Sequence, residues 1–549
     1  MCLEIVELRH LVHGGAPQAR LIGSWRLGDP GRTRRSTSAF PDVRQAAHGH
    51  GDVDMGLATS TWAWERQRTM AEGELELAPP RSNAMRRSAG MSRMLVSVMW
   101  AWNEMTINKS ALALALALAL ALAALASTAA ARDFIERPHA EAHPLKPYKA
   151  FPASTPRTKT CFVKPSCTEG RDDSKKILAA FEACNDGGTV VLDREYTICE
   201  PLDLRFLRHV DVAITGTVRF CDDIDYWLPR TFKYQFQGAS TWWVFGGEDV
   251  HIYGAGVGTL DGNGQAWYDR FAANKTLQRP ILFVTDGLRG GSVTGLKLRN
   301  SPNWHNLIAN SSDVLISDID IFARSSSANE AKNLDGWDTY RSDNIVIQNS
   351  YLDHDDDCVS FKPNSTNVIV QGLTCNSSHG ISVGSLGQYP EFFDIVENLY
   401  IYNTSMSNAV DGARLKVWPG SETDFQPGLG GGGGAGYVRN VTYERFHSRN
   451  NDAAIRIDQC YGEKNATPCA EFPSLMRITD VVFKDFTGTV SKRYDPRAGA
   501  LICSTPDTCD NIRAWDIDLK TPSGKAPEWQ CRNVEESLLQ LGGKGCIPG

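Results

Sequence analysis

From about residue 208 onward the chain returns to one short phrase, a polar pair followed by Val, Ile or Leu at alternating positions. His209-Val-Asp-Val-Ala-Ile214, Asp249-Val-His-Ile252, Ser292-Val-Thr-Gly-Leu296, Asp313-Val-Leu-Ile316 and Asn344-Ile-Val-Ile347 are five instances. Asn367-Val-Ile-Val370, Asn398-Leu-Tyr-Ile401, Asn440-Val-Thr-Tyr443, Asp480-Val-Val-Phe483 and Asn511-Ile-Arg-Ala514 continue the series. The first apolar positions from Val293 onward are spaced 21, 31, 23, 31, 42, 40 and 31 residues. Alternation with period 2 means strands, and a recurrence of 20 to 40 residues means a solenoid whose coils hold two or three short strands each. The Asn and Asp at strand starts suit the tight turns that stacked coils require.

This pattern predicts an all-β chain, a right-handed parallel β-helix over about residues 205–520. One stretch breaks the alternation: Asp173-Ser-Lys-Lys-Ile177-Leu178-Ala-Ala-Phe181-Glu-Ala carries apolar residues at helical spacing and is expected to cap the N-terminal end of the solenoid. The glycine run 430–434 is expected to be a flexible loop.

The first 131 residues do not share the repeat. Residues 1–104 hold no Lys and only scattered apolar positions among Gly, Arg, Ser and Pro, a composition that builds no core. Met105 opens a different segment, with Lys109, an Ala/Leu run from Ala111 to Ala126 and Ala126-Ser-Thr-Ala-Ala-Ala131 before Arg132. A basic residue, an apolar stretch and small residues in that order form a secretory signal, and 16 apolar residues fall short of the roughly 20 that span a bilayer. The expected organisation is an upstream extension of mis-assigned or disordered sequence at 1–104, a signal peptide at 105–131 and one catalytic domain at 132–549, secreted and free of the membrane once the signal is cut.

Composition fits that compartment. Of 14 cysteines, 13 lie beyond residue 132 and none makes a C-x-x-C pair, so disulfides are expected, with one thiol left over among the five N-terminal ones. Seven Asn-x-Ser/Thr sequons, at Asn274, Asn310, Asn364, Asn376, Asn403, Asn440 and Asn465, point the same way. The net charge of -7 offers no footprint for nucleic acid.

Candidate chemistry sits in four consecutive motifs: Asn333-Leu-Asp335-Gly336-Trp337-Asp338, Asp355-Asp356-Asp357-Cys358, Ser378-His379-Gly380 and Arg414-Leu-Lys416. Asp335 to Asp356 is 21 residues and Asp356 to His379 is 23, about one coil each, so stacking at roughly 4.8 Å brings these groups onto one face. Crowded carboxyls split their pKa values, one protonated to donate to a leaving oxygen and another ionised to activate water, while Arg and Lys hold an acidic sugar's carboxylate. Calcium ligation by the aspartates or a solvated acidic loop is the bland alternative. It leaves His379, Arg414 and Lys416 without a purpose.

The four motifs in this order, with Trp337-Asp-Thr-Tyr340-Arg341-Ser342 after the first, Gly384-Ser-Leu-Gly387-Gln-Tyr389 after the third and Gly258-Thr-Leu-Asp-Gly-Asn-Gly264 upstream, closely resemble the polygalacturonases of glycoside hydrolase family 28, the fungal exo-acting branch above all. The resemblance covers roughly residues 160–530. It implies a parallel β-helix that hydrolyses α-1,4-galacturonic linkages of pectin with inversion, with no cofactor and no metal, and a monomer is expected. It further implies Asp356 as general acid, Asp335 and Asp357 as the pair that activates water, and His379 as the group that tunes the acid. Arg414 and Lys416 would bind the galacturonate carboxylate, with Asn333, Trp337 and Tyr340 also on the substrate. Cys358–Cys375 would be a disulfide fixing the loop between the second and third motifs.

Several positions depart from the family pattern. Leu334 replaces a polar residue and is expected to pack inward between two cleft-facing neighbours; Asp355 stands where a Gly is usual; Ser378 replaces Gly in the third motif. Adjacent Asp356 and Asp357 cannot both face one side of a regular strand, so a bend or bulge is expected. Exo action needs a wall at one end of the groove. The long 42- and 40-residue intervals nominate the inserts 417–436 and 461–473, with Trp337, Tyr340 and Arg341 near the blind end. Rivals are an enzyme acting on rhamnogalacturonan or xylogalacturonan, an endopolygalacturonase, a calcium-dependent pectate lyase and a non-catalytic carbohydrate-binding β-helix.

Overall fold

A computed structural model of the protein describes residues 118–119, 135–166, 171–426, 429–463 and 466–548. The chain divides into units Met1–Ala115 and Leu116–Gly549, and the described residues lie in the second. The extension expected at 1–104 and nearly all of the signal expected at 105–131 fall outside the described residues.

The repeat folds as its alternation requires, into a right-handed parallel β-helix. Almost every strand pairs in parallel with the strands one coil before and after it, in a continuous sheet. From coil to coil Val314, Ile345, Val368, Leu399, Val441, Val481 and Ile512 stack on one another, so the sequence repeat and the register coincide residue for residue. The first step differs: Val314 lies beside Gly291 and Val293 beside Ile316, so that interval is 23 residues, not 21. The solenoid also outruns the repeat at both ends. Lys159–Phe162 starts it on Gly188–Leu192, and Cys546–Pro548 closes it on Glu528–Arg532.

The polar residues that open each strand explain the corners. Asp313, Asn344, Asn367, Asn398, Asn440, Asp480 and Asn511 all have φ between 52° and 61°, a left-handed conformation that Asn and Asp tolerate better than other non-glycine residues. Their side chains link successive coils: Asn344 Nδ2 donates to Asp313 at 2.7 Å, Asn398 to Asn367 at 2.9 Å, Asn440 to Asn398 at 2.8 Å and Asn511 to Asp480 at 2.6 Å. Inside, Val, Ile, Leu and Phe fill one long core. The expected helix forms at Ser174–Cys184, with Ile177, Phe181 and Cys184 buried against the first strands.

Disulfides join Cys161–Cys184, Cys199–Cys221, Cys358–Cys375, Cys460–Cys469, Cys503–Cys509 and Cys531–Cys546. All are local, closing 6 to 23 residues of chain. The thirteenth cysteine beyond residue 132, Cys167, lies outside the described residues. One loop expectation changes. The glycine run is tied down, Gly432, Gly433 and Gly434 donating backbone hydrogen bonds to Gln388, Pro419 and Gly387. Gly432 is required there, because a Cβ would stand 1.9 Å from the Ser421 carbonyl oxygen. Residues 135–157, which carry no repeat, lie over the outer face of the sheet that holds Leu315, Val346 and Ile369, pinned by Arg157 to Asp211 and Asp249.

Candidate active site

Five consecutive strands of one sheet carry the site: Trp337–Tyr340, Asp357–Phe361, Gly380–Leu386, Asp411–Val417 and Ala453–Asp458. Alternation sorts their side chains. Trp337, Val359, Ile381, Ala413 and Ile455 stack toward the core, whereas Asp338, Ser360, Ser382, Arg414 and Arg456 stack on the outer face. Trp337 is therefore no substrate contact: it is 0% exposed, one of the core's fully buried tryptophans. The expectation failed because the strand begins at Trp337 itself, and an inward Trp337 turns Asp338 outward. Asn333 and Asp335 precede the strand, so no alternation governs them. Asn333 has φ 57° and accepts from Arg279 at 2.7 Å, while Leu334 is buried in a satellite cluster with Tyr268, Ala323 and Ala331.

Asp335, Asp356 and Asp357 converge, with one carboxyl oxygen of each within 4.8 Å of the others. Asp356 sits in the turn, Asp357 starts the strand, and the register slips between Asp357 and Val359, which is the expected bulge. Backbone bonds lock this corner: the amides of Gly336 and His379 donate to the carbonyls of Asp357 and Asp356. The implied Cys358–Cys375 disulfide closes just behind it.

Each carboxyl has its own electrostatic setting. Burial opposes ionisation of Asp356, but His379, whose Nδ1 lies 3.1 Å from Oδ1, and then Lys416 outweigh it and hold Asp356 well below the usual carboxylate range. His379 is raised in return: burial disfavours its charge, and Asp356 more than compensates. Asp357 is also lowered, burial being overcome chiefly by Lys416, whose Nζ is 2.5 Å away, and Ser382 donates to it at 2.7 Å. Asp335 is the opposite case. Buried and facing Asp356, it is pushed well above the usual range, with Lys362 Nζ 3.7 Å away as partial relief. Burial and the Asp356 charge push Asp355 up to about 7.

Groups that sequence reasoning passed over complete the site. Lys362 lies between Asp335 and Asp338, 3.2 Å from the latter and 4.9 Å from the Trp304 ring. Burial raises Asp338 to about 7 even beside this ammonium. The same alternation that turns Ser360 outward turns Lys362 outward, a signal present in the sequence. Arg414 and Arg456 share buried Asp411, at 3.3 and 2.7 Å, and the Tyr461 ring lies 5.8 Å from Arg414 and 5.6 Å from Lys416. One carboxyl oxygen of each of the three aspartates could bracket a cation, and the Lys416 and Lys362 ammoniums bring positive charge to the same cluster, 2.5 Å from Asp357 and 3.7 Å from Asp335.

A hairpin and a loop meet beside these strands. Phe232–Lys233 and Ser240–Thr241 form a hairpin that leaves the wall on one side of the sheet. At its tip Phe236 stacks on Tyr340 at 4.5 Å and packs with Val284, Leu307 and Ala309, outer-face residues of earlier strands. Gln237 reaches the opposite wall, its Nε2 donating to Gln388 at 2.9 Å and its amide to the Tyr389 hydroxyl at 3.1 Å. The insert 417–436 expected to be this barrier instead buttresses it, through Gly432 and Gly430 on Gln388. The crossing segment betrays itself only as an earlier long interval, Val210 to Val250, 40 residues.

Residues 201–540 match the model of glycosyl hydrolases family 28. "Exopolygalacturonase X-2" of Emericella nidulans is 60% identical over 76% of this chain and 93% of its own length. "Probable exopolygalacturonase X" of Aspergillus fumigatus is 52% identical over 76% and 96%. Among solved structures, an endo-xylogalacturonan hydrolase from Aspergillus tubingensis shares 34% identity and a TM-score of 0.64, covering 71% of this chain and 99% of that one. With its parallel β-helix and these matches, the chain belongs to glycosyl hydrolases family 28.

Proposed function

We propose that the protein is a secreted exopolygalacturonase that releases galacturonate from the ends of pectic homogalacturonan. The observation that carries this reading is the adjacency of the three-carboxyl cluster and its cations to a groove sealed by Phe236, Tyr340, Gln237 and Tyr389. A chain end fits such a groove; a continuous polymer does not. The 60% identical relative bears the same activity in its name. Local disulfides and the leader pattern before Arg132 support secretion, and among the described residues no helix is long and apolar enough to cross a membrane. The reading includes action as a monomer.

In the proposed step Arg414 and Lys416 take the sugar carboxylate and place the glycosidic oxygen at Asp356. Substrate charge offsets the cations that depress Asp356, so the proton shared with His379 moves onto Asp356 and from there to the leaving oxygen. Water attacks C1 from the far side as the C1–O bond breaks. Asp357, kept ionised by Lys416 and Ser382, accepts the water's proton, and Asp335 orients the water. The carboxyl oxygens approach more closely than the roughly 6.5–9.5 Å between carboxyls usual for inverting pairs, so stereochemistry is tested directly. Proton NMR of fresh digests should show β-galacturonate first, with α-anomer only by later mutarotation. First-formed α-anomer would overturn inversion, and ultraviolet absorbance of an unsaturated product would indicate a lyase.

A further inference from the structure

Beneath the carboxylates lie two histidines that this mechanism does not use. His305 and His354 are both 0% exposed, their ring centroids 5.7 Å apart and tilted by 43°. Each has one nitrogen on backbone that carries a reacting aspartate. His305 Nδ1 is 3.1 Å from the Leu334 carbonyl oxygen, and the His305 amide donates to the Asp335 carbonyl at 2.7 Å. His354 Nδ1 is 3.3 Å from the amide nitrogen of Asp356.

The partners dictate the tautomers. A carbonyl only accepts, so His305 carries its proton on Nδ1 and its Nε2 is a bare acceptor. An amide only donates, so His354 Nδ1 is bare and its proton sits on Nε2. Among the described residues neither Nε2 has a hydrogen-bond partner, though both are buried. One is a donor and the other an acceptor. Gly336 packs closely beside the His354 ring: a Cβ there would stand 2.3 Å from Leu352 Cδ2, 2.5 Å from the Cys358 carbonyl oxygen and 3.2 Å from His354 Nε2. Burial is the main cause that lowers both rings, to about 4 for His305 and about 3 for His354, so neither charges under mildly acidic conditions.

We propose that His305 and His354 are positioning residues, a neutral pair in which His354 Nε2–H reaches His305 Nε2 through one trapped water, and so sets the spacing of Asp335 from Asp356. Buried polar atoms are costly unless paired, and a bridge satisfies both at once. The pair ties the turn of the water-orienting carboxyl to the turn of the acid. The inference rests on the assignment of Asp335 and Asp356 as reacting groups.

The variants His305→Asn and His354→Asn test it, because Asn keeps a donor or acceptor near the Nδ1 place and removes the Nε2 link. Each should lower kcat about 10- to 100-fold through misplacement of the carboxyls, with KM unchanged. The double variant should be no slower than the worse single one. Additive losses, or a lowered Tm with native kcat, would reduce the pair to packing and overturn the proposal. Should the variants not fold, nitrogen-15 NMR of the histidine-labelled wild type decides. The proposal requires neutral His354 with Nε2–H and neutral His305 with Nδ1–H between about pH 5 and 7, and an imidazolium or the reverse tautomer at either ring contradicts it. That readout needs no turnover, so it stands apart from the mechanism, which native activity of Asp356→Asn would defeat.

Discussion

Asp356→Asn should lower kcat on polygalacturonate by about two to four orders of magnitude, the usual worth of a positioned proton donor, while KM and Tm change little. Asn is nearly isosteric, and its Oδ1 can keep the hydrogen bond that the Asp357 amide now gives Asp356 at 2.8 Å. What is lost is the acid. His379 would lose the countercharge that chiefly raises it against its burial, so its hold on the proton weakens as well. Asp355 marks the control. Held at about 7 by burial and by the Asp356 charge, it bears a proton in mild acid, yet it lies outside the cluster of three. Asp355→Asn should therefore be much the milder change, and steady-state kinetics showing the reverse order would move the acid by one residue.

Lys416→Met should cost about 10²- to 10³-fold in kcat/KM, because the cation proposed to hold the substrate carboxylate is lost, and the buried Asp357 left without its partner should lower stability by about 3–5 kcal/mol as well. The ammonium pairs with Asp357 at 2.5 Å and, in the proposed step, with the incoming sugar carboxylate as well. Its loss also has a pH signature. Asp357 is lowered now because Lys416 overcomes its burial. Without Lys416 its pKa rises, the ionised base is present only at higher pH, and the acid limb of the kcat/KM profile must shift upward. Lys416→Arg should restore part of the rate and of the limb. An acid limb unmoved in the Met variant would contradict the assignment of Asp357 as base.

Local pattern made the scaffold legible. Period-2 phrases opened by Asn or Asp place Val314 through Ile512 in one column, because each coil repeats the same turn chemistry and the same inward face. Stacked coils make one-coil spacing equivalent to proximity, which is why Asp335, Asp356, His379 and Lys416 were readable as neighbours. The errors arose where alternation stops or reach is long. Trp337 carries no mark of its face in the sequence, because the residue at which a strand begins decides the face of every side chain after it. Arg279, which holds Asn333, comes from a loop 54 residues earlier. The barrier is likewise remote: Gln237 meets Gln388 across 151 residues, a contact that no repeat encodes.

Product chromatography during the first few percent of polygalacturonate hydrolysis tests the central claim most directly. A groove closed by Phe236 and Gln237 beside the acid predicts galacturonate monomer alone from the earliest sample, with solution viscosity nearly unchanged. A ladder of oligomers with a steep early fall in viscosity would mean that the chain passes through the site uninterrupted, and the exo assignment would be wrong.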